Sequence, residues 1–84
     1  GVFVPGILEK IDKSIDCIGL FCPMPLLNTR TAIDQIEIGQ ILEVLSDDPA
    51  SDSDIKALIN RTGQELVKFE DNDGEFRFLI KRIK

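Results

Sequence analysis

Cys22-Pro23-Met24-Pro25 is the segment of this chain best suited to chemistry. Two prolines in four residues break a helix interior but fit a first turn, where backbone N–H groups have no partner within the helix. The pattern therefore predicts a helix start, with Cys22 at or near the N-cap. The N-terminal end of a helix carries partial positive charge, which favours an anion there. Thiols so placed ionise at roughly 3.5–7.5, against about 8.5 for a free cysteine. The thiolate is the form that attacks another sulfur, and a persulfide anion on the same atom would gain the same stabilisation. The prolines also remove donors, leaving the Met24 N–H as one of few local partners, so the expected shift is modest. The competing reading of Cys22 is a buried, inert cysteine.

Cys17 differs from Cys22. It shares the parity of Ile11 and Ile15 at the end of a short strand, so core packing is its favoured role. The alternative is a resolving thiol that forms a disulfide with Cys22, which requires the two Cα atoms to come within about 7 Å. No other residue competes for the chemistry. The chain has no histidine, tryptophan or tyrosine, and histidine is the commonest general base. Two cysteines are too few for a secreted disulfide framework or for a structural zinc site within one chain. Neither a metal nor an organic cofactor is expected.

The elements that must position Cys22 read as βαβαββ. A first strand lies near Lys13–Cys17, followed by a loop through Ile18-Gly19-Leu20-Phe21. A helix runs from about Pro23 to Glu37, with Leu26, Ile33 and Ile36 on one stripe and Gly39 marking its end. Ile41–Leu45 is a compact apolar run, read as a mostly buried second strand. Ser51 to Asp54 matches a capping pattern of hydroxyl and acid, with Asp52 and Asp54 suited to the positive end of the helix dipole. Ile55, Leu58, Ile59 and Thr62 form one face of this second helix, and Gly63 stops it. Leu66–Glu70 and Phe76–Lys81 are two further strands, joined by the turn residues Asp71-Asn72-Asp73-Gly74. In the last strand Phe76, Phe78 and Ile80 face one side, with Arg77 and Lys81 on the other. One packed face and one wetter face explain this alternation. The expected fold is α+β: a two-layer sandwich of a four-stranded mixed sheet with both helices on one face.

In such a fold parallel strands bring the Cys22 loop and the Asp47-Asp48-Pro49 loop to one sheet edge. Carboxylates near Cys22 would raise its pKa by like-charge repulsion. Asp48 reads more readily as a cap or turn residue before the second helix. Arg30, two turns into the first helix, would offset the acids if its side chain folds back.

The bulk composition narrows the function class. Eighty-four residues make one domain, and 43% apolar residues argue for a folded module. Residues 1–10 are read as an extension of unassigned role, and 11–84 as the domain. Gly1 to Leu8 lacks the basic segment and apolar stretch of a secretory signal. No run reaches the roughly 20 apolar residues of a membrane-spanning helix. A cytoplasmic location without membrane contact is expected. Net charge is −5, from 15 acids and 10 bases, which disfavours phosphate-backbone binding as the main activity. Lys81-Arg82-Ile83-Lys84 reads as a solvated strand end.

Asp16-Cys17-Ile18-Gly19-Leu20-Phe21-Cys22-Pro23-Met24-Pro25 resembles the signature of TusA/SirA-like sulfurtransferases, Asp-x-x-Gly-x-x-Cys-Pro-x-Pro. Ser46-Asp47-Asp48-Pro49-Ala50 resembles that family's second recurrent segment, and the likeness runs on to about Ile83. The resemblance implies that Cys22 accepts sulfane sulfur from a cysteine desulfurase or a rhodanese-like donor and passes it to an acceptor protein. It further implies an end point in tRNA wobble-uridine thiolation, sulfur oxidation, molybdenum-cofactor sulfuration or selenium metabolism. Gly19, Pro23, Pro25, Asp47 and Pro49 match family positions as scaffolding of the loop. Phe21 stands where several relatives carry a polar or basic residue. With Leu20 and Met24 it would suit transient docking around the sulfur. Phe21, Met24 and Arg30 are thus the candidate partner-binding residues, Asp48 joins the scaffold, and a monomer with transient complexes is expected. Two other readings stay open: a regulatory or redox-sensing module using Cys22, and a thiol–disulfide oxidoreductase using Cys17 with Cys22.

Overall fold

The computed structural model describes residues 10–84. The expected 1–10 extension lies, except for Lys10, outside the described residues. The elements follow the expected order: β1 (Lys13–Cys17), α1 (Met24–Gln35), β2 (Ile41–Ser46), α2 (Pro49–Thr62), β3 (Glu65–Asn72) and β4 (Glu75–Lys81). The strands form one mixed sheet in the order β1-β2-β4-β3. β1 and β2 run parallel, and β4 is antiparallel to both β2 and β3. No helix among the described residues is long and apolar enough to cross a membrane.

Strand parity builds the core. Ile15 lies opposite Val44 and Cys17 opposite Ser46, while Leu42, Val44 and Ser46 lie opposite Ile80, Phe78 and Phe76. All of these point to one face. There they meet Ala32, Ile33 and Ile36 from α1 and Ile55, Leu58 and Ile59 from α2. Phe69 of β3 joins from opposite Phe78, at 5.1 Å between ring centroids. One face of the sheet is thus covered by two amphipathic helices, giving two layers.

The other face is less wet than alternation alone suggests. Leu79 shares it with Arg77 and Lys81, yet Leu79 is only 1% exposed. It sits in a central strand opposite Glu43 and Lys68. Arg77 bridges this face, with Nε bonded to Glu43 and Nη1 to Glu70 at 2.8 Å. Ser14 Oγ extends the same line by donating to Glu43 at 2.7 Å. Long paired side chains thus flank Leu79 on this face, with Glu43 directly opposite it.

Several element ends differ from the sequence expectation. α1 stops with Ile36 as its C-cap, three residues before Gly39. Gly39 instead donates its N–H to the Arg82 carbonyl at 2.7 Å, tying the loop after α1 to the chain end. The α2 N-cap is Asp48, as its reading as a cap residue expects, and not Ser51, which is buried inside the first turn with its Oγ donating to the Asp48 carbonyl. Pro49 explains this choice, since proline fits the first helical position and fixes the cap one residue earlier. The β3–β4 turn is tighter than predicted, because Asp71 and Asn72 belong to β3. Asp73 and Gly74 turn the chain with φ of 54° and 89°, a left-handed pair that Asp-Gly tolerates. Gly63 caps α2 as expected, in the left-handed conformation.

Candidate functional site

Cys22 lies in the loop between β1 and α1, and its side chain is exposed. The α1 N-cap is Pro23, so Cys22 stands one residue before the cap rather than on it. The Cys22–Pro23 peptide is cis. Pro25 is buried in the first turn and Leu20 is half buried against the core, whereas Phe21 is 76% exposed and Met24 44%. Of the three residues expected to surround the sulfur, Leu20 therefore serves packing. Phe21 and Met24 face solvent.

The loop is held by aspartates arriving from separate elements. Asp16 accepts from the Ile18 N–H at 2.9 Å, and Asp47 from the Gly19 N–H at 2.9 Å. Gly19 has φ of +84°, a conformation that disfavours any side chain there. Asp48 uses both carboxylate oxygens: Oδ2 takes the Cys22 N–H at 2.7 Å, and Oδ1 takes the Ala50 N–H at 3.1 Å. The helix cap of α2 is thus also the clamp on the Cys22 backbone. Parallel pairing of β1 with β2 makes this possible, since Cys17 and Ser46 end in register.

The electrostatics run against the helix-dipole expectation. Partial desolvation, then the charge and hydrogen bond of Asp54, then the charge of Asp48, push the Cys22 thiol above its ordinary range. The Met24 N–H does not reach the sulfur; it donates to the Phe21 carbonyl at 2.8 Å. Cys22 Sγ donates instead to Asp54 Oδ2, 3.8 Å away. Arg30 does not fold back onto Cys22. It lines a groove of about 120 Å³ between α1 and α2, with Leu26, Leu27, Asp54, Leu58 and Arg61.

Asp54 is the site residue that sequence reasoning missed. Its place in the Ser51–Asp54 capping pattern concealed it. Asp54 falls with Leu58 and Arg61 on the side of α2 that lines the groove against α1. Cys17 is buried at 1% exposure in the core, and both cysteines are free. Burial raises its pKa, against a hydrogen bond from Asn28. No group of three or more histidine, cysteine or acidic residues among the described residues could hold a metal ion.

The sequence profile of the family described as "Sulfurtransferase TusA" matches residues 13–82. This chain belongs to that family. The match takes in all six elements and the whole Cys22 loop. Among relatives, a proposed sulfur carrier protein of Archaeoglobus fulgidus is 51% identical over 86% of this chain and 95% of its own length. "Sulfur carrier protein TusA" of Allochromatium vinosum is 38% identical over 89% of this chain and 99% of its own. The crystal structure of a SirA-like protein from Desulfitobacterium hafniense superposes with a TM-score of 0.75 at 23% identity, covering 86% of this chain and 99% of that one. At that identity the likeness shows the fold, and it is the same two-layer βαβαββ sandwich.

Proposed function

We propose that this family member is a sulfur carrier that holds sulfane sulfur as a persulfide on Cys22. One observation carries the reading: Cys22 is exposed on a backbone clamped by Asp48, with exposed Phe21 and Met24 beside it. The names of the relatives support the same role.

The chemistry is exchange at sulfur. The Cys22 thiolate attacks the outer sulfur of a donor persulfide. A new S–S bond forms at Cys22 Sγ, the donor's S–S bond breaks, and the donor leaves as a thiolate that takes up the proton released by Cys22. An acceptor thiolate later attacks the outer sulfur, with Cys22 as the leaving group. Neither step changes the total oxidation state or needs a metal or organic cofactor. A cysteine desulfurase or rhodanese-like protein supplies the sulfur, and a second protein receives it, in the cytoplasm. Phe21, Met24 and Arg30 form the partner-contacting rim, and Gly19, Pro23, Pro25, Asp47, Asp48 and Pro49 form its frame.

The oxidoreductase reading loses support from Cys17, which is buried and unbridged. The test is radiolabel transfer from sulfur-labelled cysteine in the presence of a cysteine desulfurase. Label that a reductant strips off, present in the wild type and missing from Cys22→Ser, supports the carrier. Equal labelling of both proteins rejects it.

A further inference from the structure

The side chain that touches the sulfur has no other visible task. Asp54 is the sixth residue of α2, past the first turn in which a helix dipole acts on a carboxylate. The cap of that helix is Asp48, and the neighbouring Asp52 pairs with Lys56 at 2.6 Å. Among the described residues Asp54 has no ion pair within 4.0 Å. Arg30 and Arg61 line the same groove without closing on it. What Asp54 does contact is Cys22 Sγ, across the gap between the two helices.

We propose that Asp54 is a positioning residue for Cys22: its carboxylate accepts the Cys22 S–H, fixes the sulfur at the mouth of the α1–α2 groove, and keeps it in the neutral thiol form until a donor engages. This inference rests on the carrier reading for its biological use. The physical basis is independent of it. A carboxylate that accepts from a thiol stabilises the protonated state and repels the thiolate. Alkylating agents and oxidants act on the thiolate, so Asp54 shields the free carrier from them. A donor protein that brings positive charge to the groove mouth offsets Asp54 and releases the nucleophile. Asp48 adds repulsion from the cap of α2, while Asp16 and Asp47 are turned to the Ile18 and Gly19 N–H groups. Arg30 on α1 and Arg61 on α2 are the cations that line the same groove as Asp54.

The experiment is the pH dependence of Cys22 alkylation by iodoacetamide in the wild type, Asp54→Asn, Asp54→Ser and Asp52→Asn. Below both midpoints the rate follows the thiolate fraction, tenfold per pH unit. Both Asp54 variants should move the midpoint to lower pH and raise the rate at pH 7 by about threefold or more. Asp52→Asn removes the same charge from the same helix and should leave the profile in place. Coincident profiles for the wild type and both Asp54 variants, or an equal shift in Asp52→Asn, would overturn the proposal. No sulfur donor enters this measurement. A shifted profile in a protein that gains no sulfur from a desulfurase would therefore reject the carrier reading and leave the role of Asp54 standing.

Discussion

Asp48 holds Cys22 through its backbone: one carboxylate oxygen caps α2 at Ala50 and the other takes the Cys22 N–H at 2.7 Å. One side chain thus couples the start of the second helix to the reactive loop of the first.

That coupling predicts a double loss in Asp48→Ala. The variant gives up a helix cap and a charge-assisted hydrogen bond, a destabilisation of about 2 kcal/mol. Urea denaturation should show this fall. Pro49→Ala keeps both bonds and should cost clearly less. Equal stability of Asp48→Ala and the wild type would contradict the clamp.

Cys17 should behave as a core residue. In the native protein at neutral pH, iodoacetamide should label Cys22 alone, and denaturant should expose Cys17. Cys17→Ser places a hydroxyl in an apolar site and should cost about 1–3 kcal/mol, while sulfur loading on the folded variant is retained. Lost loading in a folded Cys17→Ser protein would reinstate the two-cysteine mechanism.

Phe21 separates docking from chemistry. Its ring is mostly in solvent, so Phe21→Ser should change stability by less than about 0.5 kcal/mol. The alkylation rate of Cys22 should stay unchanged, and protein-to-protein sulfur transfer should slow several-fold. Unaltered transfer would remove Phe21 from the contact surface.

The open sheet face sets an acid limit. A hydrogen bond from Ser14, followed by the bond from Arg77, holds the Glu43 carboxyl below its ordinary range. A carboxyl with a lowered folded pKa stabilises the fold above its unfolded value of about 4.3, and this is lost as pH falls through the folded value. Glu43→Gln should therefore be less stable than the wild type at pH 7, with the gap closing in acid. A gap independent of pH, followed by urea denaturation across the acid range, would contradict this assignment.

Much of this was legible in the sequence, for reasons that differ by position. Pro23 and Pro25 mark the start of α1 because proline tolerates so few helical positions. Asp73-Gly74 marks the hairpin because its backbone angles suit so few residue pairs. The parity of Phe76, Phe78 and Ile80 gives the packed face of β4. Leu79 escaped because its burial depends on its place in a central strand between β2 and β3, which only strand pairing assembles. Asp48 reads as the α2 cap from the sequence, with the Ser51 pattern competing because both residues suit a helix start, and Pro49 decides for Asp48. Asp54 was invisible for a deeper reason. Its meeting with Cys22 spans 32 residues of chain and depends on how α1 lies against α2.

The most direct measurement is mass spectrometry of the protein after incubation with cysteine and a cysteine desulfurase. Lys13 and Arg30 bound a tryptic peptide, residues 14–30, that contains both cysteines. Fragmentation between Cys17 and Cys22 therefore assigns the modified site. One added sulfur atom on the Cys22 side, removed by reductant and missing in Cys22→Ser, is the predicted result. Sulfur on the Cys17 side, or no gain at all with an active donor, would contradict the account.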